Sequence, residues 1–143
     1  MPPCVLFDIH VMLDVLLDRR PHADAASGAW ALVETGRVEG LLSAHAVTTI
    51  HYLNQKAVGR RRARTTTDAL LTVFGVAAVD GGVVKAALAL DWPDYEDAVT
   101  AAAAMAAGCD AIVTRDPRGF KRAGVPVLDP ASTLAWVLTS SPR

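Results

Sequence analysis

Near the start of the chain, Cys4-Val5-Leu6-Phe7 is apolar without interruption and stops at Asp8. An alternating run would need cover on one face only. A short continuous run needs cover on both, a condition met chiefly by parallel strands sandwiched between helices. The chain repeats the device at Val38 to Ser43, Val76 to Val79, Asp110 to Thr114 and Val125 to Leu128. The stretches between these runs carry helical spacing. Short buried strands alternating with helices predict a three-layer α/β/α sandwich with a mainly parallel central sheet.

The punctuation of the helices is legible too. Val11 to Leu17 suits a short helix stopped by Arg19-Arg20-Pro21. Pro21 to Gly36 reads as an amphipathic helix with Ala26, Ala29, Trp30 and Val33 inward and Gly36 as its C-cap. Ala44 to Val58 turns Val47, Ile50, His51, Leu53 and Asn54 toward its inner faces, and Gly59 ends it. Arg60 then opens a helix running to Phe74. Asp80 caps one ending near Leu90, and Asp94 caps the alanine-rich helix closed by Gly108. Pro130 starts a terminal helix, and residues 138–143 are expected to form a disordered tail. With no repeat, linker or composition break, residues 1–143 read as one domain, large enough for a core without disulfides or structural metal.

Composition narrows the setting. The longest apolar run, Ala98 to Gly108, is interrupted by Thr100 and falls short of the roughly 20 residues that a membrane span needs. Met1-Pro2-Pro3-Cys4 has no basic leader, so neither a membrane nor a secretory route is expected, and the cytoplasm is. Cys4 and Cys109 then read as buried thiols rather than a disulfide. A net charge of −1 does not advertise a nucleic-acid partner, which leaves the local distribution of charge to decide.

In open parallel sheets, sites form beyond the carboxyl ends of the strands. Asp8 directly follows the first strand, Asp116 lies just beyond the fourth, and Asp97 sits in the first turn of the helix leading into that fourth strand. If the first and fourth strands are neighbours, three carboxylates meet at one edge. Such a cluster repels itself and is poorly solvated unless a cation neutralises it. Oxygen-only ligation suits one or two Mg²⁺ or Mn²⁺ ions, which can activate water for in-line phosphodiester cleavage. Each acid also has an ordinary reading: Asp8 as a cap or turn former, Asp97 and Glu96 as acids at a helix start, Asp116-Pro117 as a turn. The order and spacing of all three together carry the functional reading.

Those segments resemble a known family. Leu6-Phe7-Asp8-Ile9-His10-Val11-Met12-Leu13-Asp14-Val15-Leu16 is similar to the opening strand and helix of PIN domains, and Ser43 to Leu53 resembles their third helix. Tyr95-Glu96-Asp97-Ala98 and Ile112-Val113-Thr114-Arg115-Asp116-Pro117-Arg118-Gly119-Phe120 resemble their later acidic segments, and Val125 to Pro130 fits their close. The likeness covers about residues 4 to 138 in order and spacing. PIN domains are metal-dependent ribonucleases, and small bacterial ones are commonly VapC-type toxins held inactive by an antitoxin. The resemblance implies Asp8, Asp97 and Asp116 as metal-binding and catalytic carboxylates, RNA as substrate and a cognate antitoxin as partner. It also implies a homodimer, and hydrolysis by metal-activated water without a covalent intermediate. Two positions depart from the pattern. His10 stands where the family often has Asn, and Thr49 aligns with its second acid, usually Glu. Glu96 or Asp94, and more distantly Asp14, are candidates for the missing oxygen. Thr49 itself is a candidate for orienting a metal-bound water, and His10 for general acid work.

Arg115 and Arg118 flank Asp116, where they either meet a scissile phosphate or form a salt bridge. Arg60, Arg61, Arg62, Arg64 and Lys56 either track an RNA backbone or make a solvated helix start, although arginines there oppose the helix dipole. His45 and His51 are six apart, on different helix faces, which argues against joint metal binding, and His22 has no ligand-like spacing. Trp30, Trp92 and Trp136 read as core or interface anchors. Leu13, Leu16, Leu17 and Val58 belong either to the core or to an antitoxin or dimer groove. Two other functions stay open. One is a degenerate PIN fold that binds RNA or protein without catalysis. The other is a haloacid-dehalogenase-type phosphatase, which wants an Asp where His10 stands.

Overall fold

The structure is a computed structural model and describes residues 1–140. The chain begins β1 (Cys4–Phe7), α1 (Ile9–Leu16), α2 (Ala23–Glu34), β2 (Glu39–Ser43) and α3 (Ala44–Val58). It continues α4 (Arg60–Val73), β3 (Gly75–Ala77), α5 (Gly81–Leu90) and α6 (Tyr95–Ala106). β4 (Ala111–Val113), β5 (Val127–Leu128) and α7 (Thr133–Thr139) complete it, with 3₁₀ turns at Pro117–Phe120 and Pro130–Ser132.

All five strands are parallel, in the order β3-β2-β1-β4-β5. β1 and β4 are neighbours, with Val5, Leu6 and Phe7 opposite Ala111, Ile112 and Val113. The chain lays down β1, β2 and β3 toward one edge, then returns to build β4 and β5 on the other side. Strand order therefore reverses between β1 and β4, the point at which open parallel sheets place their sites beyond the carboxyl ends.

The period-two geometry of a strand explains why β1 is apolar throughout. Val5 and Phe7 enter one core with Val11, Leu13, Ala26, Ile50 and Leu70, while Cys4 and Leu6 enter the other with Val83, Ala87 and the alanines of α6. Phe74 holds the first core together, meeting Phe7 edge-to-face at 5.3 Å and Trp30 at 5.2 Å. On the opposite layer Trp92 meets Phe120 at 5.8 Å. With Trp136 packed against the first core, the tryptophans serve as anchors, as read from sequence. Leu13, 1% exposed, belongs to the core and not to a surface groove. Leu16 and Leu17 flank that core, half-buried.

Several boundaries move. α2 starts at Ala23 rather than Pro21, and β3 starts at Gly75 rather than Val76. Gly75 sits opposite Leu41, and a Cβ there would lie 2.7 Å from the Leu41 Cδ2, so only glycine opens this strand without a shift. The helix expected from Pro130 begins as the 3₁₀ turn and becomes α7 at Thr133. Residues 138 and 139 of the expected tail are helical, because Ser140 closes α7 by donating its hydroxyl to Trp136 O at 2.7 Å. Residues 141–143 of that tail lie outside the described residues. The sulfurs of Cys4 and Cys109 lie 3.6 Å apart, buried and unbridged. Among the described residues, no helix is long and apolar enough to cross a membrane.

Candidate metal centre

Asp8 links β1 to α1. Its N–H donates to Val113 O at 2.9 Å, extending the β1/β4 ladder one step past the strands. The carboxylate is buried and accepts the Ile9 N–H at 2.9 Å and the Thr114 hydroxyl at 3.0 Å. The same Thr114 oxygen accepts the Asp116 N–H at 3.2 Å. Thr114 thus clamps two of the predicted acids to one another. Sequence reading passed over it, although the register of two adjacent parallel strands sets it level with Asp8.

Asp97 arrives from the opposite layer, on the first turn of α6. The Asp94 carboxylate caps that helix, accepting the Asp97 N–H at 3.1 Å, and the Tyr95 hydroxyl ties the turn to Val84 O at 2.8 Å. Gly119 lies between Asp97 and Asp116. A methyl built on it would stand 3.1 Å from one Oδ2 and 3.9 Å from the other, so the bare glycine leaves a cradle bordered by both carboxylates. Burial, and then the charges of Asp94, Asp8, Glu96 and Asp116, push the Asp97 carboxyl up to about 7. Asp8 is raised as well, chiefly by burial, against the opposing effects of the Thr114 hydroxyl, His10 and the Ile9 N–H. Acids from three separate segments therefore share one electrostatic neighbourhood.

Among the described residues, no arginine or lysine forms an ion pair with Asp8, Asp97 or Asp116. An all-oxygen, strongly anionic cradle fits a hard divalent cation, the group that would relieve the repulsion. Among the described residues, no group of three or more His, Cys, Asp or Glu side chains stands close enough together to hold a metal ion as it is.

The remaining candidates divide. Glu96 and Asp94 are exposed, yet both act on Asp97, so the structure brings them to the margin of the cradle. His10 is exposed beside Asp8. Thr49 turns its hydroxyl back onto its own helix, toward His45 O at 3.4 Å. Arg115 does not turn to Asp116: its Nη1 lies 3.3 Å from Asp14, which Arg19 also reaches at 3.3 Å. Asp14 is accordingly a buried ion-pair centre and not a spare oxygen for the cradle. Arg118 lines a cleft of about 190 Å³ with Trp92, Gly119, Lys121 and Arg122, directly beside the acids. Arg60 and Arg61 open α4, at the far end of α3, roughly 20 Å of helix from its start. Arg61 and Arg64 line a separate cleft there with His51, whose Nδ1 is 2.7 Å from the Thr67 hydroxyl.

One residue set aside in the sequence returns. His45 occupies the first turn of α3, immediately after β2, and neither ring nitrogen has a hydrogen-bond partner or contact with solvent. Burial holds the imidazole toward its neutral form, against the pull of Glu96 and Asp8. The Ser43 hydroxyl, also buried, is likewise unpartnered. Applying the carboxyl-end rule to β2 as well as to β1 and β4 would have found both.

The profile of the PIN domain matches residues 4–118. The chain belongs to the PIN domain family. Its fold is similar to a toxin–antitoxin complex from Klebsiella pneumoniae, with a TM-score of 0.65 and 21% identity over 88% of this chain and 97% of that one. It is also similar to VapBC2 from Rickettsia felis bound to a promoter DNA fragment, with a TM-score of 0.68 and 13% identity over 88% and 98%. A sarcin–ricin loop cleaving toxin, VapC20 of Mycobacterium tuberculosis, gives a TM-score of 0.60 and 17% identity over 76% and 86%. Comparison with curated protein sequences returned no match.

Proposed function

We propose that this PIN domain is a Mg²⁺- or Mn²⁺-dependent endoribonuclease and the toxin of a type II toxin–antitoxin pair. The observation that carries the reading is that Asp97 and Asp116 border the Gly119 cradle with Asp8 in the same electrostatic neighbourhood, and that among the described residues no arginine or lysine pairs with any of them. The solved relatives support it, since one is named as a sarcin–ricin loop cleaving toxin and another as a toxin–antitoxin complex. RNA is the substrate, an antitoxin protein the partner, and a cytoplasmic homodimer the working form.

Asp8, Asp97 and Asp116 would hold one or two ions, with Glu96 and Asp94 adding charge at the margin. When bound, such an ion activates water and stabilises the charge that develops on the phosphate. The chain's own residues do the positioning. Thr114 locks the Asp8 carboxylate by donating to it and fixes the backbone of Asp116 by accepting from it. Gly119 keeps the space between Asp97 and Asp116 clear of side chain. Arg118, with Lys121 and Arg122, receives the phosphates that flank the scissile bond, because cations beside an acidic site orient a polyanion without competing for the ion. His10 stands exposed beside Asp8, where it can give a proton to the leaving oxygen.

A second reading, a PIN fold that binds without cleaving, is favoured by one observation: the Thr49 hydroxyl is occupied within α3, so that position gives the cradle no acid. Incubation of purified protein with RNA and Mn²⁺, beside Asp8→Asn and Asp97→Asn, separates the two. Cleavage that needs both metal and acids is expected. Cleavage indifferent to either, or none at all, would overturn the nuclease.

A further inference from the structure

We propose that His45, with Ser43 beside it, completes the acidic site as a nitrogen donor to the divalent cation and so favours Mn²⁺ over Mg²⁺. The inference rests on the metal centre of the reading above and deepens it.

Three polar atoms at the β2–α3 junction, both nitrogens of His45 and the Ser43 hydroxyl oxygen, are buried with no hydrogen-bond partner among the described residues. Ser43 is 1% exposed. In a neutral imidazole one nitrogen donates and the other accepts, so leaving both unsatisfied is costly. A cation would meet the lone pair of the bare nitrogen, and the N–H would be left for an acceptor. Ser43 is also the N-cap residue of α3, yet its hydroxyl makes no capping bond. A serine in that position ordinarily caps its helix.

The topology brings this junction to the acids. β1 and β2 are parallel, with Leu6 opposite Leu41, so two residues further on Asp8 and Ser43 leave the sheet at the same level. Glu96 and Asp8 both bear electrostatically on the His45 ring. Helix geometry supplies the link to the departure from the family pattern. Residues four apart share a face of a helix, so His45 lies on the same face as Thr49, one turn nearer the start of α3 and the sheet edge. The Thr49 hydroxyl points to the His45 carbonyl at 3.4 Å and is spent there. The face of α3 that lacks an acid thus carries an imidazole one turn away. Neutral imidazole is the form that ligates metals. An imidazole nitrogen adds affinity for transition-metal ions, whereas Mg²⁺ demands oxygen and retains its waters.

Electron spin-echo spectroscopy of the Mn²⁺-loaded protein, without RNA, tests this directly. Modulation from a ¹⁴N nucleus is expected in the wild type and should vanish in His45→Ala and His45→Gln. Calorimetric titration of the same variants should show Mn²⁺ affinity reduced at least about tenfold, with Mg²⁺ affinity changed far less. Absence of ¹⁴N modulation in the wild type, or unaltered Mn²⁺ affinity in folded His45 variants, overturns the proposal. The wild-type spectrum decides even if the variants do not fold. Asp8→Asn separates the two levels of the argument. Mn²⁺ binding that needs Asp8 but not His45 removes His45 and leaves the acidic centre, while binding that needs neither removes both.

Discussion

Asp8 and Asp14 lie six residues apart at opposite ends of α1, both buried, and their charges are met in opposite ways. Asp14 is enclosed by two guanidinium groups, Arg19 and Arg115, each at 3.3 Å. Among the described residues Asp8 accepts neutral donors, the Ile9 N–H and the Thr114 hydroxyl, while Asp94 and Asp97 bring further negative charge to the same neighbourhood. Removing a carboxylate from water is costly whichever way it is done. At Asp14 the protein neutralises the charge with its own chain, so that region is a finished structural element. At Asp8 it adds like charge instead, an excess that the proposed cation would neutralise.

The contrast can be broken from either side. Asp8→Asn should lower metal-dependent RNA cleavage at least about a hundredfold, since loss of a ligand exceeds the tenfold-to-hundredfold effect of its outer partners. It should cost only about 1 kcal/mol of stability, because the Ile9 N–H and the Thr114 hydroxyl bond different carboxylate oxygens and the single amide oxygen keeps one of the two. Cleavage assays paired with urea denaturation check both halves. Asp14→Ala should do the reverse, destabilising the fold by about 2 kcal/mol in denaturant titration. That is below the value for a fully buried pair because both arginines reach solvent, and Mn²⁺ affinity per folded molecule should stay nearly unchanged.

Thr114→Val removes the clamp between Asp8 and Asp116 while keeping the shape of the side chain. A loss of about tenfold in Mn²⁺ affinity is expected by calorimetry, with roughly 1 kcal/mol of stability. An unchanged affinity would show that the backbone alone holds the two acids in register.

The smallest effect concerns pH. In metal-free protein the Asp97 carboxyl sits at about 7, above its ordinary value of 3.8, so its ionisation is harder in the folded state than in the unfolded. The stability it contributes is complete below about pH 4 and is lost as pH rises through about 7. In the presence of a chelator, Asp97→Asn should gain about 1 kcal/mol on the wild type at pH 8 and nothing at pH 4. The gain is well below the raw shift because the side chain is half open to solvent. Thermal melts of the two proteins across that range measure the difference. Mn²⁺ binding to the wild type should strengthen up to about pH 7 and then level, since the ion displaces a proton.

Much of the fold was legible because its determinants are local. Four consecutive apolar residues cannot be half exposed, Asp80 and Asp94 can cap only the helices that start beside them, and Gly59, at φ 90°, separates α3 from α4. The three acids were legible for a related reason, because the carboxyl end of a strand is a position in the chain as well as in space. Arg115 was ambiguous, since a long flexible side chain next to Asp116 had an equally charged alternative in Asp14, distant in sequence but near in the fold. The setting of His45 was not legible for a similar reason: spacing along one helix says nothing about acids arriving from β1 and α6.

The sequence by itself determined the layers, the alternation of strands and helices, and the list of acids available to the sheet edge. These come from burial patterns and capping chemistry within a few residues. Only the tertiary structure decided that β1 and β4 are neighbours, that Thr114 joins Asp8 to Asp116, that Arg115 turns to Asp14, and that His45 and Ser43 lie buried without partners. Each of those is a pairing across the sheet or between layers, where distance in space is set by packing and charge and not by separation along the chain.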